Sequence, residues 1–326
     1  KDSGLLQGAS SLGQLLPLIT RVAKIVREYD IIYANTQKAL VVGAIASLLS
    51  RRPLVYHLHD ILSTEHFSRT NLRLAVTLAN RASLVIANSQ ASQTAFLAAG
   101  GNPQLVRVVY NGFAPQLYQQ PTASVQIGQQ LGLEGKFVVG HFSRLAPWKG
   151  QHVLLEALKQ CPPEVTAIFV GDALFGEQDY KQQLHQQVIQ LGLEQRVQFL
   201  GFRSDVVSLM AACNLVAHTS IAAEPFGRVI VEAMLCGRPV VATQAGGAVE
   251  LVEAGTTGWL VPPGDAQKLA EIINTCRQQP ELARAIAHQA QISASQRFEL
   301  NEINRQIEKL LAAVGNQLSV TSDQRK

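Results

Sequence analysis

The chain has 326 residues and a mass of 35.3 kDa, enough for two domains with conventional hydrophobic cores. With 47% apolar, 16% charged and 6% aromatic residues, it is excluded from the disordered, collagen-like and nucleic-acid-tail classes. Its 28 basic and 24 acidic residues leave a net charge of +4, and the excess is N-terminal: residues 1–134 hold 11 Lys/Arg against 6 Asp/Glu, residues 135–326 hold 17 against 18.

Short β-branched runs alternate with helical stretches along the whole chain, which predicts an α/β protein of parallel sheets covered by helices on both faces. In the first half the predicted strands are residues 30–35 (DIIYAN), 54–59 (LVYHLH), 83–88 (SLVIAN) and 106–110 (VRVVY). Arg69, Arg73 and Arg81 lie along a stretch of helical spacing between them. Residues 116–135, rich in Gln, Pro and Gly, read as a linker. A second series opens at Phe137 (FVVGHFS) and continues with residues 166–170, 197–200, 215–218, 239–243 and 259–261. The pattern gives two doubly wound domains, hence a cleft. Phe298, Ile303, Ile307, Leu310 and Leu311 form one apolar stripe on a last helix, and residues 319–326 read as a frayed tail.

Several chemistries are removed by missing motifs. No two glycines stand in G-x-G spacing, and the GxxxxGK[ST], HExxH and GxSxG patterns are absent, against a dehydrogenase, an NTPase, a zinc protease and a serine hydrolase. No Asp-x-Asp pair is present to hold a divalent metal on a diphosphate, so no metal ligands are assigned. Cys161, Cys213, Cys236 and Cys276 have no CxxC spacing, which points to a reducing, cytoplasmic compartment. No stretch reaches the roughly 18 uninterrupted apolar residues of a spanning helix.

Two clusters can carry chemistry. In residues 224–232 (EPFGRVIVE), Pro225 reads as the first helical position and Gly237 as the stop. Free N–H groups near Phe226, Gly227, Arg228 and Val229 would form a phosphate site at the helix start. Glu224 and Glu232, eight residues apart, are separated by about 12 Å of rise and about 80 degrees on a continuous helix, so both can touch one extended ligand. The plain alternative is a carboxylate favouring the helix N-terminus and a second solvated one. At the end of the domain's first strand, Arg144 and Lys149 flank Pro147 and Trp148, a guanidinium fork and a point charge that can bracket a diphosphate. Both clusters fall at strand carboxyl ends, where open α/β sheets bind ligands. A third segment, residues 244–265, is dense in Gly and Pro, with Gly246 and Gly247 permitting close backbone approach.

The chain resembles the retaining nucleotide-sugar glycosyltransferases of family 4, the glycogen-synthase-like group 1 transferases with the GT-B fold. The residues that carry the resemblance are Glu224-PFGRVIV-Glu232 as an E-x7-E motif, the R-x4-K pair Arg144 and Lys149, the AGGAVELVEAGTTGWLVPPGD run, and the Tyr110-Asn111-Gly112-Phe113 turn. It implies two Rossmann-like domains facing a cleft: 1–134 on the acceptor side, 135–296 holding the donor, and 297–326 a helix crossing back to the first domain. It implies that Arg144 and Lys149 bind the donor diphosphate, Glu232 the ribose and Glu224 the transferred sugar, with the Gly201-Phe202-Arg203 segment against the nucleobase. His59, in His57-Leu58-His59-Asp60, is implied to project towards the donor sugar; a His packed in the core, or a metal pair with His57 on the same strand face, are the competing readings.

The expected reaction is metal-independent transfer of a sugar from a nucleoside diphosphate to a glycan or lipid-linked acceptor, with retention and no further cofactor. A non-catalytic nucleotide-sugar binding protein and a GT-B-like nucleotide-sugar epimerase remain as alternatives. The N-terminal charge suggests a peripheral contact with an anionic inner membrane face. Two departures from the family stand out. Ser143 occupies a position commonly Gly, and nothing before Asp30 has the strand and Gly-rich loop with which family members usually begin, so several dozen family residues are expected to be absent from the start.

Overall fold

The computed structural model describes residues 8–118 and 121–323, and the side chains of 16–118 and 124–316. Contacts divide the chain into two units, one formed by the chain up to Gly112 with the residues from Asn301 onward, the other by Phe113–Leu300.

The first unit runs α1 (Gly8–Ile25), β1 (Ile32–Ala34), α2 (Gln37–Ser50), β2 (Leu54–Leu58), α3 (Arg69–Ala79), β3 (Leu84–Ala87), α4 (Gln90–Ala98) and β4 (Val106–Val108). The strands form one parallel sheet in the order β1-β2-β3-β4, in register through Ile32 and Leu54, Val55 and Leu84, and Val85 and Val106. All residues of β2 and β3 are buried, as expected of strands covered on both faces. Three helices start on side-chain caps: Thr36, Ser68 and Ser89 hydroxyls accept the N–H of Ala39, Asn71 and Ser92 at 3.1, 3.3 and 2.9 Å.

In the second unit, α5 (Pro121–Gln130) precedes β5 (Phe137–Phe142), α6 (Gln151–Lys159), β6 (Val165–Val170), α7 (Gln178–Gln190), β7 (Val197–Gly201), α8 (Val206–Ala212) and β8 (Leu215–His218). There follow α9 (Arg228–Leu235), β9 (Val240–Thr243), α10 (Ala248–Leu251), β10 (Trp259–Val261), α11 (Ala266–Gln278) and α12 (Pro280–Arg297). Its parallel sheet has the order β10-β9-β8-β5-β6-β7. The chain builds outward from β5 through β6 to β7, then returns to the other side of β5 with β8. The carboxyl ends of β5 and β8 therefore mark a topological switch point, the place where open α/β sheets bind ligands. A hydrophobic core beneath runs from Val139, Leu154 and Phe169 to Leu215, Val241 and Ile273.

All ten predicted strands are present, each within a residue or two of its expected ends. Three readings are corrected. Residues 121–130 of the supposed linker form α5, which packs against α8, so this segment folds with the second unit, whereas the sequence grouped it with the first. The last apolar stripe divides: Phe298 ends α12, where Phe226 meets it edge-on at 5.8 Å, while Ile303, Ile307, Leu310 and Leu311 belong to α13 (Leu300–Asp323) and cover Val55, Leu84 and Ile86 of the first unit. That helix continues through Asp323 where a frayed tail was expected; residues 324–326 of the tail lie outside the described residues. The four cysteines are free and buried.

Candidate functional site

The loop after β5 is built to present its cations. Gln151, fully buried at the start of α6, donates from Nε2 to Ser143 Oγ and to the Arg144 carbonyl, both at 2.9 Å. Pro147–Lys149 make a single tight helical turn, ended by Gly150 at φ 70. A side chain there would both adopt a left-handed backbone and overlap the Thr219 carbonyl, so glycine lets this loop lie against the end of β8. Thr219 Oγ completes the seam by donating to the carbonyls of Gly150 at 2.8 Å and Lys149 at 3.1 Å.

Across that seam Lys149 Nζ forms an ion pair with the buried carboxylate of Glu224, 7% exposed. Ser220 Oγ donates to the same oxygen at 2.5 Å, and His218 Nε2 lies 3.0 Å from it. Burial alone would raise the Glu224 carboxyl, yet His218 and Lys149 beside it hold it far below the ordinary carboxylate range. The Lys149 ammonium also sits 4.1 Å from the centre of the Trp148 ring.

Arg144 is engaged differently. Its Nη1 meets Glu177 Oε2 at 3.3 Å, and its guanidinium lies 5.7 Å from the Trp148 ring and 5.3 Å from that of Phe175. Phe175 is 88% exposed and has φ 57, a left-handed backbone unusual for a bulky residue.

The helix after Glu224 begins later than the sequence suggests. Pro225 is not its first position: Gly227, at φ 94, caps α9, which starts at Arg228 and ends as expected before Gly237. Glu224 therefore lies off the helix and Glu232 is its fifth residue, so the rise expected between them does not apply. Gly247 N donates to the Glu224 carbonyl at 2.8 Å, and a Cβ at Gly246 would run into the Glu224 main chain. The close approach expected of these glycines is thus to the Glu224 backbone. Ile230 N is the first amide of α9 to be taken, by Gly227 O at 3.0 Å. The N–H groups of Gly227, Arg228 and Val229 donate to none of the described residues, leaving three donors at the positive end of a helix.

Phe226 offers no side chain to a ligand. It is 2% exposed, stacked on Phe113 at 6.3 Å. Glu232 pairs with Arg228 Nη2 at 3.2 Å; burial raises its carboxyl, offset in part by Arg228. The Arg228 guanidinium lies 4.6 Å over the Phe113 ring, and Tyr118 is pushed up to about 12 by burial and by Glu232. Arg203 is bound in both arms by Asp205, at 2.8 and 2.6 Å, while its neighbour Phe202 is 84% exposed.

In the first unit, His59 follows the end of β2, and its ring centre is 4.1 Å from that of His57, which places both on one face as their spacing predicts. The His57 Nδ1 is 2.6 Å from the Tyr33 hydroxyl, and burial, with His59 beside it, lowers His57 to about 4. Among the described residues, no group of three or more His, Cys, Asp or Glu gathers as a metal site.

The structure thus brings Lys149 and Glu224 into contact and places Arg144 on the same loop. Sequence reasoning missed His218, Ser220 and Tyr118, and gave Trp148 and Phe113 no individual role. Only the two-residue spacing of His218 and Ser220 at a strand end could have marked the first two.

Residues 126–292 match the family described as Glycosyl transferases group 1, and residues 4–117 match Glycosyltransferase Family 4. The crystal structure of Anabaena Alr3699/HepE in complex with UDP-glucose superposes with a TM-score of 0.90 and 66% identity, over 93% of this chain and 84% of that one. Sucrose-phosphate synthase of Thermosynechococcus elongatus, 23% identical, shares the fold with a TM-score of 0.84 over 96% of this chain and 80% of its own. The architecture is that of the GT-B glycosyltransferases. The lipopolysaccharide core mannosyltransferase LpcC of Rhizobium leguminosarum bv. viciae is 29% identical over 259 residues, 78% of this chain and 70% of the relative. The match to spore coat protein SA of Bacillus subtilis, 28% identical over 57% of this chain, spans 54% of that protein, so the chain covers about half the length of some curated relatives.

Proposed function

We propose that this chain, which belongs to the group 1 glycosyltransferases, transfers a hexose from a uridine diphosphate sugar to a glycan or lipid-linked acceptor, retaining the anomeric configuration and using no divalent metal. The observation that carries the reading is the contact of Lys149, on the loop after β5, with Glu224, just before a helix start whose N–H groups at Gly227, Arg228 and Val229 donate to none of the described residues. The choice of uridine rests on the relative of 66% identity crystallised with UDP-glucose.

In this reading negative charge grows on the leaving diphosphate as the bond to the anomeric carbon breaks. Arg144, Lys149 and the amides of Gly227, Arg228 and Val229 oppose it. Lys149 has three N–H donors and spends one on Glu224, so others stay available to phosphate. Preorganised donors of this kind are worth about 3 to 4 kcal/mol each in the transition state. Glu232 would take the ribose and the Gly201-Phe202-Arg203 segment the base, with exposed Phe202 the surface for stacking. His59 is carried as a contributor to transfer.

Retention is argued from the state of Glu224. Held far below the ordinary carboxylate range by His218 and Lys149, Glu224 is a weak base and a weak nucleophile. We therefore favour a front-face displacement in which a phosphate oxygen of the donor accepts the acceptor's proton, and Glu224 positions the sugar. Calorimetry with UDP, GDP and ADP tests the donor site: UDP should bind most tightly and Arg144→Ala should weaken it. Failure of all three to bind would refute the assignment.

A further inference from the structure

The groups around Glu224 are divided unequally between its two oxygens. Lys149 Nζ, Ser220 Oγ and His218 Nε2 all converge on Oε1, whereas Oε2 accepts a bond from none of the described residues. His218 ends β8 and is 5% exposed, Ser220 follows at 2%, and their polar atoms are 3.3 Å apart. The other ring nitrogen of His218, Nδ1, is buried without a hydrogen-bond partner among the described residues. An orphaned buried polar atom lowers stability, and an aliphatic side chain on this strand face would avoid it. Packing therefore does not account for a histidine here; its bond to Glu224 does.

We propose that His218 and Ser220 are positioning residues which, with Lys149, hold Glu224 by Oε1 and so leave Oε2 as the acceptor for a hydroxyl of the transferred sugar. This rests on the function proposed above. The three donors come from two elements, Lys149 from the loop after β5 and His218 and Ser220 from the end of β8, so they lock the carboxylate against rotation. The titratable and charged groups that face it are Lys149, His218 and, behind them on β5, His141. Removing His218 frees the carboxylate to turn and makes it easier to protonate.

The test uses the full chain with Glu labelled at the carboxyl carbon, the Glu224 resonance being assigned by its loss in Glu224→Gln. In the wild type Glu224 should stay ionised well below the ordinary carboxylate range. In His218→Leu its midpoint should rise by roughly one pH unit or more, and in His218→Gln, which returns an N–H near the Nε2 position, it should move back. Ser220→Ala should shift it in the same direction by less. Turnover of UDP-glucose should fall about ten- to a hundredfold in His218→Leu and recover in His218→Gln, with affinity for UDP, which lacks the transferred hexose, unchanged. A folded His218→Leu in which Glu224 titrates as in the wild type would overturn the proposal, as would a loss of UDP affinity parallel to the loss of turnover. If the wild type turns over no nucleotide sugar, the proposed function fails, and the Glu224 titration alone then decides the positioning.

Discussion

Lys149 and Glu224 are 75 positions apart in the chain and form one buried ion pair, with side chains 16% and 8% exposed, at the point where the strand order of the second sheet reverses. Each charge is held in place by the other, so removing one leaves its partner buried and uncompensated. Lys149→Ala and Glu224→Gln are each expected to lower stability by about 3 to 5 kcal/mol. The double variant Lys149→Met, Glu224→Gln should recover much of that loss, while turnover stays down by about two to three orders of magnitude. Urea denaturation beside a UDP-release assay separates the two effects. A double variant as unstable as the singles would show that the pair's partners matter more than its charge balance.

Stability should fall between neutral pH and pH 5. Burial, then His59, lowers His57 to about 4; burial, then His218, lowers His141 to about 3. Both are neutral in the native protein over a range in which the unfolded chain, near 6.5, gains protons. The native state binds fewer protons there, so each histidine removes up to about 1.4 kcal/mol per pH unit as the pH falls below 6.5. Glu224 has the opposite chemistry and the same direction, since a depressed carboxyl stabilises above its unfolded value, about 4.5, and loses that contribution below it. Denaturation midpoints at pH 7.5, 6.5 and 5.5 measure this, and a flat profile would contradict it.

Chelation should leave the rate unchanged. The charge on the leaving diphosphate is opposed in this account by Arg144, Lys149 and the start of α9. An EDTA-treated enzyme should match the untreated one, and a large loss restored by magnesium or manganese would count against the donor site drawn here.

Arg69 and Arg73 are exposed one turn apart on α3, and Arg81 is exposed shortly after it. We expect this face to contact anionic lipid. Pelleting with phosphatidylglycerol vesicles should weaken as salt shortens the Debye length from about 10 to 3 Å, and at low salt it should already be weaker in Arg69→Ser, Arg73→Ser. Binding indifferent to salt and lipid charge would contradict the idea.

The ten strands were legible because parallel strands covered on both faces are largely apolar: every residue of Val165–Val170 is buried, Thr166 alone among them polar, and the run stands out against polar helix faces. Helix α5 was not, since its PTASVQIGQQ sequence has the composition of a loop and, among its described side chains, only Ile127 is buried. The start of α9 was misplaced because Pro225 is a plausible first helical residue and only the backbone shows Gly227 at φ 94. The motif residues Arg144, Lys149, Glu224 and Glu232 were identifiable by spacing. Their partners were not, because the contact of Lys149 with Glu224, and of both with His218 and Ser220, depends on β8 lying beside β5, an adjacency no local pattern encodes.

In the proposed reaction the bond between sugar and diphosphate breaks from the face on which the new bond forms. Incubating the protein with UDP-[1-13C]glucose, water serving as acceptor, and following the anomeric carbon by NMR faster than mutarotation tests it directly. The account predicts release of UDP with α-glucose as the first product, abolished in Lys149→Ala. First appearance of β-glucose would contradict retention, and absence of both binding and UDP release would contradict the assignment of the site.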